Sequence, residues 1–149
     1  MSKLVKIGAA LALSASVSFG ATQADFDKVK AHVEAGLALC KEVGVAKCTA
    51  EFNKKESKWV AGSLYIWAND FDGVITAHPK KPIKGKNLYK YKDVGGTQLF
   101  KNFIDKVKAD GSGWVDYVWS HPKTNKQTAK TSYVVGIGEN QLIGAGIYK

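Results

Sequence analysis

The spacing of apolar residues changes at Trp59, and this change limits the folds that the chain can adopt. Before it, apolar residues recur at intervals of three and four, which is typical of a helix that buries one face. We expect this helix to begin at an Asp25 cap, to end near Gly44 and to be followed by a short helix over residues 46–53. After Trp59, aromatic and branched residues dominate, as they do in strands. The chain therefore combines helices with a sheet.

Five segments after Trp59 have the composition of strands. The first two flank a turn at residues 70–73, which is typical of a hairpin. A helix with an apolar stripe from Leu99 to Val107 then precedes the last three strands. The predicted strands cover residues 63–69, 74–78, 114–119, 131–137 and 142–148. This order predicts an α+β fold in which helices pack on one side of a five-stranded antiparallel sheet.

The first 24 residues have the three-part layout of a secretory signal peptide. Lys3 and Lys6 precede a short apolar run over residues 7–19, and small residues stand at the last and third-last positions before Asp25. The run is shorter than the ~20 residues of a membrane-spanning helix. An N-terminal membrane anchor and a buried helix remain the alternatives. We expect cleavage before Asp25, export to the periplasm and one domain over residues 25–149 without a membrane span.

The basic residues of this chain are all lysines. They number 22 against 13 acidic residues, which gives a formal net charge of +9. Arginine supplies the bidentate contacts to guanine and phosphate, so its absence from the sequence argues against a dedicated nucleic-acid reader. Six lysines fall in the predicted loop over residues 79–93, where a solvated surface explains them. We therefore expect no nucleic-acid partner.

The sequence has two cysteines, Cys40 and Cys48, placed symmetrically about Gly44. A turn at Gly44 would bring them together, and an oxidising compartment would allow a disulfide. Two small thiols buried in the core are the alternative. The spacing fits neither a haem attachment site nor structural zinc.

The sequence lacks recognisable catalytic and cofactor motifs. It contains no nucleophile elbow, no His-Glu-x-x-His and no phosphate-binding loop. Asp70 and Asp72 precede Gly73 as in a calcium loop, but the later ligands of such a loop are missing, so we predict a turn. We expect neither catalysis nor a bound metal or cofactor.

Several segments occur in the order and spacing of a known family. They are 64–67 (Leu-Tyr-Ile-Trp), 72–73 (Asp-Gly), 77–79 (Ala-His-Pro), 85–88 (Gly-Lys-Asn-Leu), 113–119 (Gly-Trp-Val-Asp-Tyr-Val-Trp), 121–122 (His-Pro), 130–134 (Lys-Thr-Ser-Tyr-Val) and 143–148 (Ile-Gly-Ala-Gly-Ile-Tyr). This set resembles the single Cache domain of bacterial extracytoplasmic sensors, in its stand-alone secreted version. The resemblance covers residues 25–149. It implies a PAS-like sheet, a long N-terminal helix and a small-molecule pocket over the sheet.

The resemblance also implies partners. Many related domains sense short organic acids as parts of chemoreceptors or histidine kinases. We therefore expect a small organic acid as the ligand, and a membrane chemoreceptor or a histidine kinase as the downstream partner.

Two aromatic pairs are predicted to wall the pocket. Tyr65 and Trp67 stand two residues apart on one strand, as do Tyr117 and Trp119 on another, so each pair shares one face of its strand. Their rings would enclose the apolar part of a ligand and leave phenol and indole donors for its polar part. An ordinary aromatic core is the alternative.

Three further residues are predicted to recognise charge. His78 ends a strand before a proline, Lys130 opens another strand, and Tyr133 lies three residues after it. The ammonium would neutralise a carboxylate through a charge-assisted hydrogen bond, helped by His78 and by the hydroxyls of Tyr117 and Tyr133. The alternatives are a histidine bonded to a backbone carbonyl and a solvated lysine.

Together these features favour a periplasmic protein that binds a short carboxylate such as acetate, propionate, lactate or pyruvate, without catalysis. The alternative is an exported interaction module with a filled pocket. Such a module would dock on a membrane receptor or the cell envelope through the lysine-rich loop.

Overall fold

The computed structural model describes residues 20–149, which contain three helices and seven strands. The helices are α1 (Gln23–Val43), α2 (Val45–Phe52) and α3 (Leu99–Asp110). The strands are β1 (Val60–Ala61), β2 (Leu64–Tyr65), β3 (Trp67–Asp70), β4 (Ile75–Ala77), β5 (Ser112–Ser120), β6 (Gln127–Ile137) and β7 (Gln141–Tyr148).

Five strands form one antiparallel sheet in the order β4-β3-β7-β6-β5. β3 and β4 are the predicted hairpin, and the last three strands contain the predicted segments. Strand β6 begins at Gln127, four residues before its predicted start, so Lys130 lies inside the strand and does not open it. The predicted strand over residues 63–69 is divided at Ile66, and its first part pairs with β1 in a separate two-stranded sheet. The expected α+β class and the five-stranded antiparallel sheet are confirmed.

Helices cover both faces of the sheet, so the expectation of helices on one side is wrong. Helix α1 packs on β6 and β7 from one face, and α3 packs on β5 and β6 from the other. Strand β6 is buried at five successive residues, Lys130 to Val134. A strand buried on both faces loses the alternation of buried and exposed residues that marks a half-exposed strand. Two separate cores result, one on each side of the sheet.

Helix α1 begins earlier than predicted. Its N-cap is Thr22, whose hydroxyl accepts a hydrogen bond from the Asp25 backbone N–H at 3.3 Å. The Asp25 carboxylate accepts one from the Thr22 N–H at 2.8 Å. This reciprocal pair satisfies two donors at the helix start. Residues 1–19 of the predicted signal peptide lie outside the described part of the chain. No helix within residues 20–149 is both long and apolar enough to cross a membrane.

A disulfide joins Cys40 near the end of α1 to Cys48 in α2. Gly44 lies between the two helices with a φ of 89°, a conformation that favours glycine. Both cysteines are buried in the core on the α1 side of the sheet. The covalent link therefore holds α2 against the end of α1. The chain continues from α2 toward the strands.

We predict that reducing this disulfide lowers the free energy of unfolding by about 2–3 kcal/mol, because the bridge restricts a short loop in the unfolded chain. Urea titrations with and without a reductant measure the difference. The double variant Cys40→Ala, Cys48→Ala is the control and should not respond to the reductant. A wild-type midpoint that is the same in both titrations would contradict the bridge.

Candidate functional site

The α3 side of the sheet brings most of the predicted site residues together. In the strand register Tyr117 of β5 lies opposite Lys130 of β6, and Lys130 lies opposite Tyr148 of β7. These three side chains therefore share one face of three adjacent strands. Trp67 of β3 lies in the same core, because it pairs with Gly144 of β7.

Lys130 is the centre of this group and is only 1% exposed. Its Nζ donates a hydrogen bond to Tyr65 Oη at 3.3 Å. The Nζ also lies 4.5 Å from the ring centre of Tyr65 and 4.7 Å from that of Tyr148. The ring centres of Trp67 and Tyr117 are each 5.9 Å away. At these distances, aromatic faces attract a cation through their quadrupoles.

The charge of Lys130 has no acidic counterpart in the described chain. No aspartate or glutamate within residues 20–149 forms an ion pair with its Nζ. Burial disfavours the ammonium form and lowers the pKa of Lys130 to about 7. An anion bound beside this ammonium would therefore provide the negative charge that residues 20–149 do not place there.

His78 is held in one tautomer by the turn that follows it. Its Nδ1 accepts hydrogen bonds from the backbone N–H groups of Lys80 at 3.3 Å and Lys81 at 3.0 Å. Burial, with the positive charges of Lys130 and Lys81, lowers the pKa of His78 to about 3. The ring is therefore neutral, and its proton is on Nε2, which remains available as a donor.

Tyr117 and Tyr148 bring hydroxyl groups to the same face. Tyr117 Oη is hydrogen-bonded to Ser132 Oγ at 2.8 Å, and Tyr148 Oη donates to the Ser120 carbonyl at 3.1 Å. Burial raises the pKa of Tyr117, and it raises the pKa of Tyr148 to about 12. Both phenols are therefore neutral near pH 7. Ser132 and Tyr148 were not among the predicted site residues.

Two glycines of β7 leave space for the large side chains that lie against this strand. A Cβ at Gly144 would collide with the ring of Trp67. A Cβ at Gly146 would collide with Ser132 Oγ and lie 3.0 Å from Lys130 Cε. Only residues without a side chain allow the indole and the lysine stem to lie this close to β7.

The side chains enclose a small space that we name the inner cavity. It has a volume of about 10 Å³, which is room for about one water molecule. Its lining residues are Tyr65, Trp67, His78, Leu99, Phe100, Phe103, Tyr117 and Trp119. Five of them are predicted site residues, and the other three come from α3, which the sequence analysis did not assign to the site. Lys130 does not line the cavity and contacts its wall through Tyr65.

Tyr133 does not join this group, and the structure thus corrects its predicted place in the pocket. It lies on the opposite face of the sheet, where its ring packs 5.4 Å from that of Trp114 and under the ammonium of Lys30. Residues three apart on a strand point to opposite faces, so Tyr133 and Lys130 cannot share a pocket.

Asp93 anchors the loop between β4 and α3, a role that the sequence analysis missed. Its carboxylate is buried and accepts backbone hydrogen bonds from Gly95 at 2.9 Å, Thr97 at 2.8 Å and Val118 at 2.7 Å. Val118 lies on the edge strand β5, immediately before Trp119. Aspartate two residues before glycine is a common signal for such a turn.

The anchored loop covers the outer side of Trp119. The Tyr91 ring meets the Trp119 ring edge-on at 6.1 Å, and Lys81 Nζ lies 5.4 Å from the Trp119 ring centre. The loop therefore closes the inner cavity where β5 ends. No cluster of three or more metal-ligating side chains occurs in residues 20–149.

Comparison with known families and proteins points to one class of domain. A match to the family described as Cache domain covers residues 51–149. The methyl-accepting chemotaxis protein McpP of Pseudomonas putida is 29% identical over 86 residues. That alignment takes in 56% of this chain, and the chain spans 16% of the length of McpP.

Solved structures of chemotaxis sensor domains are similar to the whole described fold. A methyl-accepting chemotaxis protein from Vibrio parahaemolyticus is 29% identical with a TM-score of 0.71, covering 84% of this chain and 88% of that one. A periplasmic sensor domain of a chemotaxis protein is 28% identical with a TM-score of 0.65, and the match covers 84% of this chain and 90% of that one. A Cache chemosensory domain described for carboxylic acid recognition shares the fold, with 24% identity, a TM-score of 0.72 and coverage of 86% and 99%.

We predict that Asp93→Asn lowers the free energy of unfolding by about 2–3 kcal/mol. The amide removes the charge that strengthens three hydrogen bonds, and its NH₂ group cannot accept from a backbone donor. Urea unfolding measures the change. Asp72→Asn is the matched control, because Asp72 is exposed. Equal stability of the two variants would contradict the anchoring role.

Proposed function

Because this chain belongs to the Cache domain family, we propose that its domain binds a short-chain carboxylate as a periplasmic sensor, without catalysis. The ligand class comprises acetate, propionate, lactate and pyruvate. The similarity of this chain to sensor domains of chemotaxis proteins supports a role in signalling. The partner that receives the signal would be a membrane chemoreceptor or a histidine kinase.

The buried ammonium of Lys130 is the observation that carries this proposal. A lysine that is 1% exposed and lacks an acidic partner in the described chain is costly to keep charged. A ligand carboxylate next to Nζ would form a charge-assisted hydrogen bond in a water-poor site, where such a bond is stronger than at the surface. The site therefore favours anions over neutral or cationic ligands.

The neighbouring donors complete a site for a carboxylate. The Nε2–H of His78 and the hydroxyl of Tyr117 are neutral donors, so they bind carboxylate oxygens without adding a second buried charge. The rings of Tyr65, Trp67 and Trp119 would surround the apolar end of the ligand. Tyr148 replaces Tyr133 as the additional phenol beside Lys130.

The small inner cavity limits the size of the ligand and its affinity. At about 10 Å³ it has to widen even for acetate, and the loop over Trp119 is the segment that covers it. Acetate has four heavy atoms, and a ceiling of about 1.5 kcal/mol for each gives at most ~6 kcal/mol of binding free energy. The dissociation constant for acetate is therefore no tighter than tens of micromolar.

We predict that short carboxylates at about 10 mM raise the melting temperature, by several degrees at the ceiling affinity. At that affinity, 10 mM exceeds the dissociation constant about a few hundred times and stabilises the protein by roughly 3 kcal/mol. A thermal-shift screen of organic acids, amines and amino acids measures this. Lys130→Met should abolish the shift, whereas Lys126→Met, at an exposed lysine, should retain it.

A screen in which no compound shifts the melting temperature would count against the sensor proposal. The interaction module with a filled pocket would then be the better explanation. A shift that survives in Lys130→Met would mean that the ligand binds somewhere else.

We predict that carboxylate affinity falls as the pH rises above about 7, approaching tenfold per pH unit. The ammonium form of Lys130 binds the anion, and its pKa is about 7, so the binding-competent fraction decreases above that pH. His78, with a pKa of about 3, stays neutral between pH 6 and 9. Burial raises the pKa values of Tyr65, Tyr117 and Tyr148, so these phenols stay neutral too.

Isothermal titration calorimetry with propionate at pH 6, 7, 8 and 9 measures this dependence. Lys130→Met should bind weakly at every pH. An affinity of the wild-type protein that is constant across the range would show that Lys130 does not hold the carboxylate.

A further inference from the structure

A second concave surface, which we name the lysine bowl, lies beside the inner cavity. It has a volume of about 420 Å³ and is open to solvent. Its walls come from the end of α2 and from the loop after β4, which are joined by a hydrogen bond of 3.0 Å from the His78 N–H to Asn53 Oδ1. The lining residues are Asn53, Lys55, His78, Pro79, Lys80, Lys81, Pro82 and Lys84.

The charge of the lysine bowl has one sign. Four of its lining residues are lysines, and none is acidic. Within residues 20–149, none of these four lysines forms an ion pair. A concave surface lined by charges of one sign focuses the field and raises the local concentration of anions.

One turn separates the lysine bowl from the inner cavity. His78 lines both of them. The backbone N–H groups of Lys80 and Lys81 are bonded to its Nδ1, and Lys81 Nζ lies over the ring of Trp119, another wall of the inner cavity. Residues 78–81 therefore line the lysine bowl and also reach the inner cavity through the His78 ring and through Lys81 Nζ over Trp119.

We propose that the lysine bowl is an outer anion site, which captures small carboxylates and passes them to the inner cavity across the turn at residues 78–81. This inference rests on the function proposed above. Lysines suit a transfer site because their flexible point charges attract an anion without the fixed two-point geometry of arginine. The bowl would therefore act on the rate of association, whereas Lys130 would act on the rate of dissociation.

The test compares two triple variants that remove the same charge. The bowl variant carries Lys55→Gln, Lys80→Gln and Lys84→Gln. The control variant carries Lys86→Gln, Lys90→Gln and Lys92→Gln, at exposed residues of the same loop that do not line the bowl. Lineshapes in ¹⁵N–¹H NMR spectra of the purified protein, titrated with propionate, report the association and dissociation rates.

We expect the bowl variant to associate with propionate at least about threefold more slowly at low salt, with an unchanged dissociation rate. The control variant should keep the wild-type rate. The difference should disappear near 1 M salt, where the screening length is about 3 Å. Equal rates for the two variants would overturn the inference and leave the inner carboxylate site standing.

A third variant separates this inference from the proposed function. In Lys130→Met, propionate should still shift the amide signals of Lys80, Lys81, Ile83 and Lys84 in a saturable manner, and the bowl substitutions should abolish these shifts. Shifts at residues 80–84 with none at the inner site of the wild-type protein would support the lysine bowl and refute the proposed function. An absence of shifts at both places would refute both.

Discussion

The ammonium of Lys130, buried against aromatic rings, is the interaction on which the site depends. A charge in a dry interior carries a large desolvation cost, which is tolerable only with favourable contacts around it. The rings of Tyr65 and Tyr148 approach it closely, and the Tyr65 hydroxyl accepts its hydrogen bond. These contacts do not fully offset the desolvation cost, and the pKa of Lys130 is therefore lowered to about 7. This remaining cost is the basis of our proposal that the domain binds an anion, and in that proposal the same charge sets both the stability of the empty site and the affinity for the ligand.

This arrangement requires glycines in β7 beneath the large side chains, and it requires the loop between β4 and α3 to cover them. Gly144 and Gly146 let the Trp67 ring and the Lys130 stem lie directly on β7. Asp93 ties the covering loop to the edge of the sheet through one backbone hydrogen bond from Val118, and it accepts two more from Gly95 and Thr97 within the loop. The loop is also held by backbone hydrogen bonds between Ile75 and residues 85 and 86. Its residues Ile83, Leu88 and Tyr89 pack against the core on the α3 side, so the loop is part of that core's boundary.

Individual site predictions succeeded where neighbouring residues set the position of a side chain, and they missed contacts that residues far apart in the chain create. The aromatic pairs were placed on one face because a strand repeats every two residues. The same rule excludes Tyr133, which is an odd number of residues from Lys130, although its hydroxyl made it attractive as a ligand donor. Tyr148 and Ser132 were missed because their proximity to Lys130 and Tyr117 comes from pairing between strands. Register of this kind depends on residues distant in the chain.

By itself, the sequence determined the three helices and the five strands of the main sheet, that Gly44 separates two helices, and that Tyr117 and Trp119 share a face. These properties depend on neighbouring residues and repeat with a local period. Only the tertiary structure decided that helices cover both faces, that β7 lies between β3 and β6, and that Lys130 is buried. A lysine has the same sequence signature whether it is solvated or enclosed. Its pKa, and the chemistry that follows, depend on groups brought to it from β2, β3, β5 and β7 by folding.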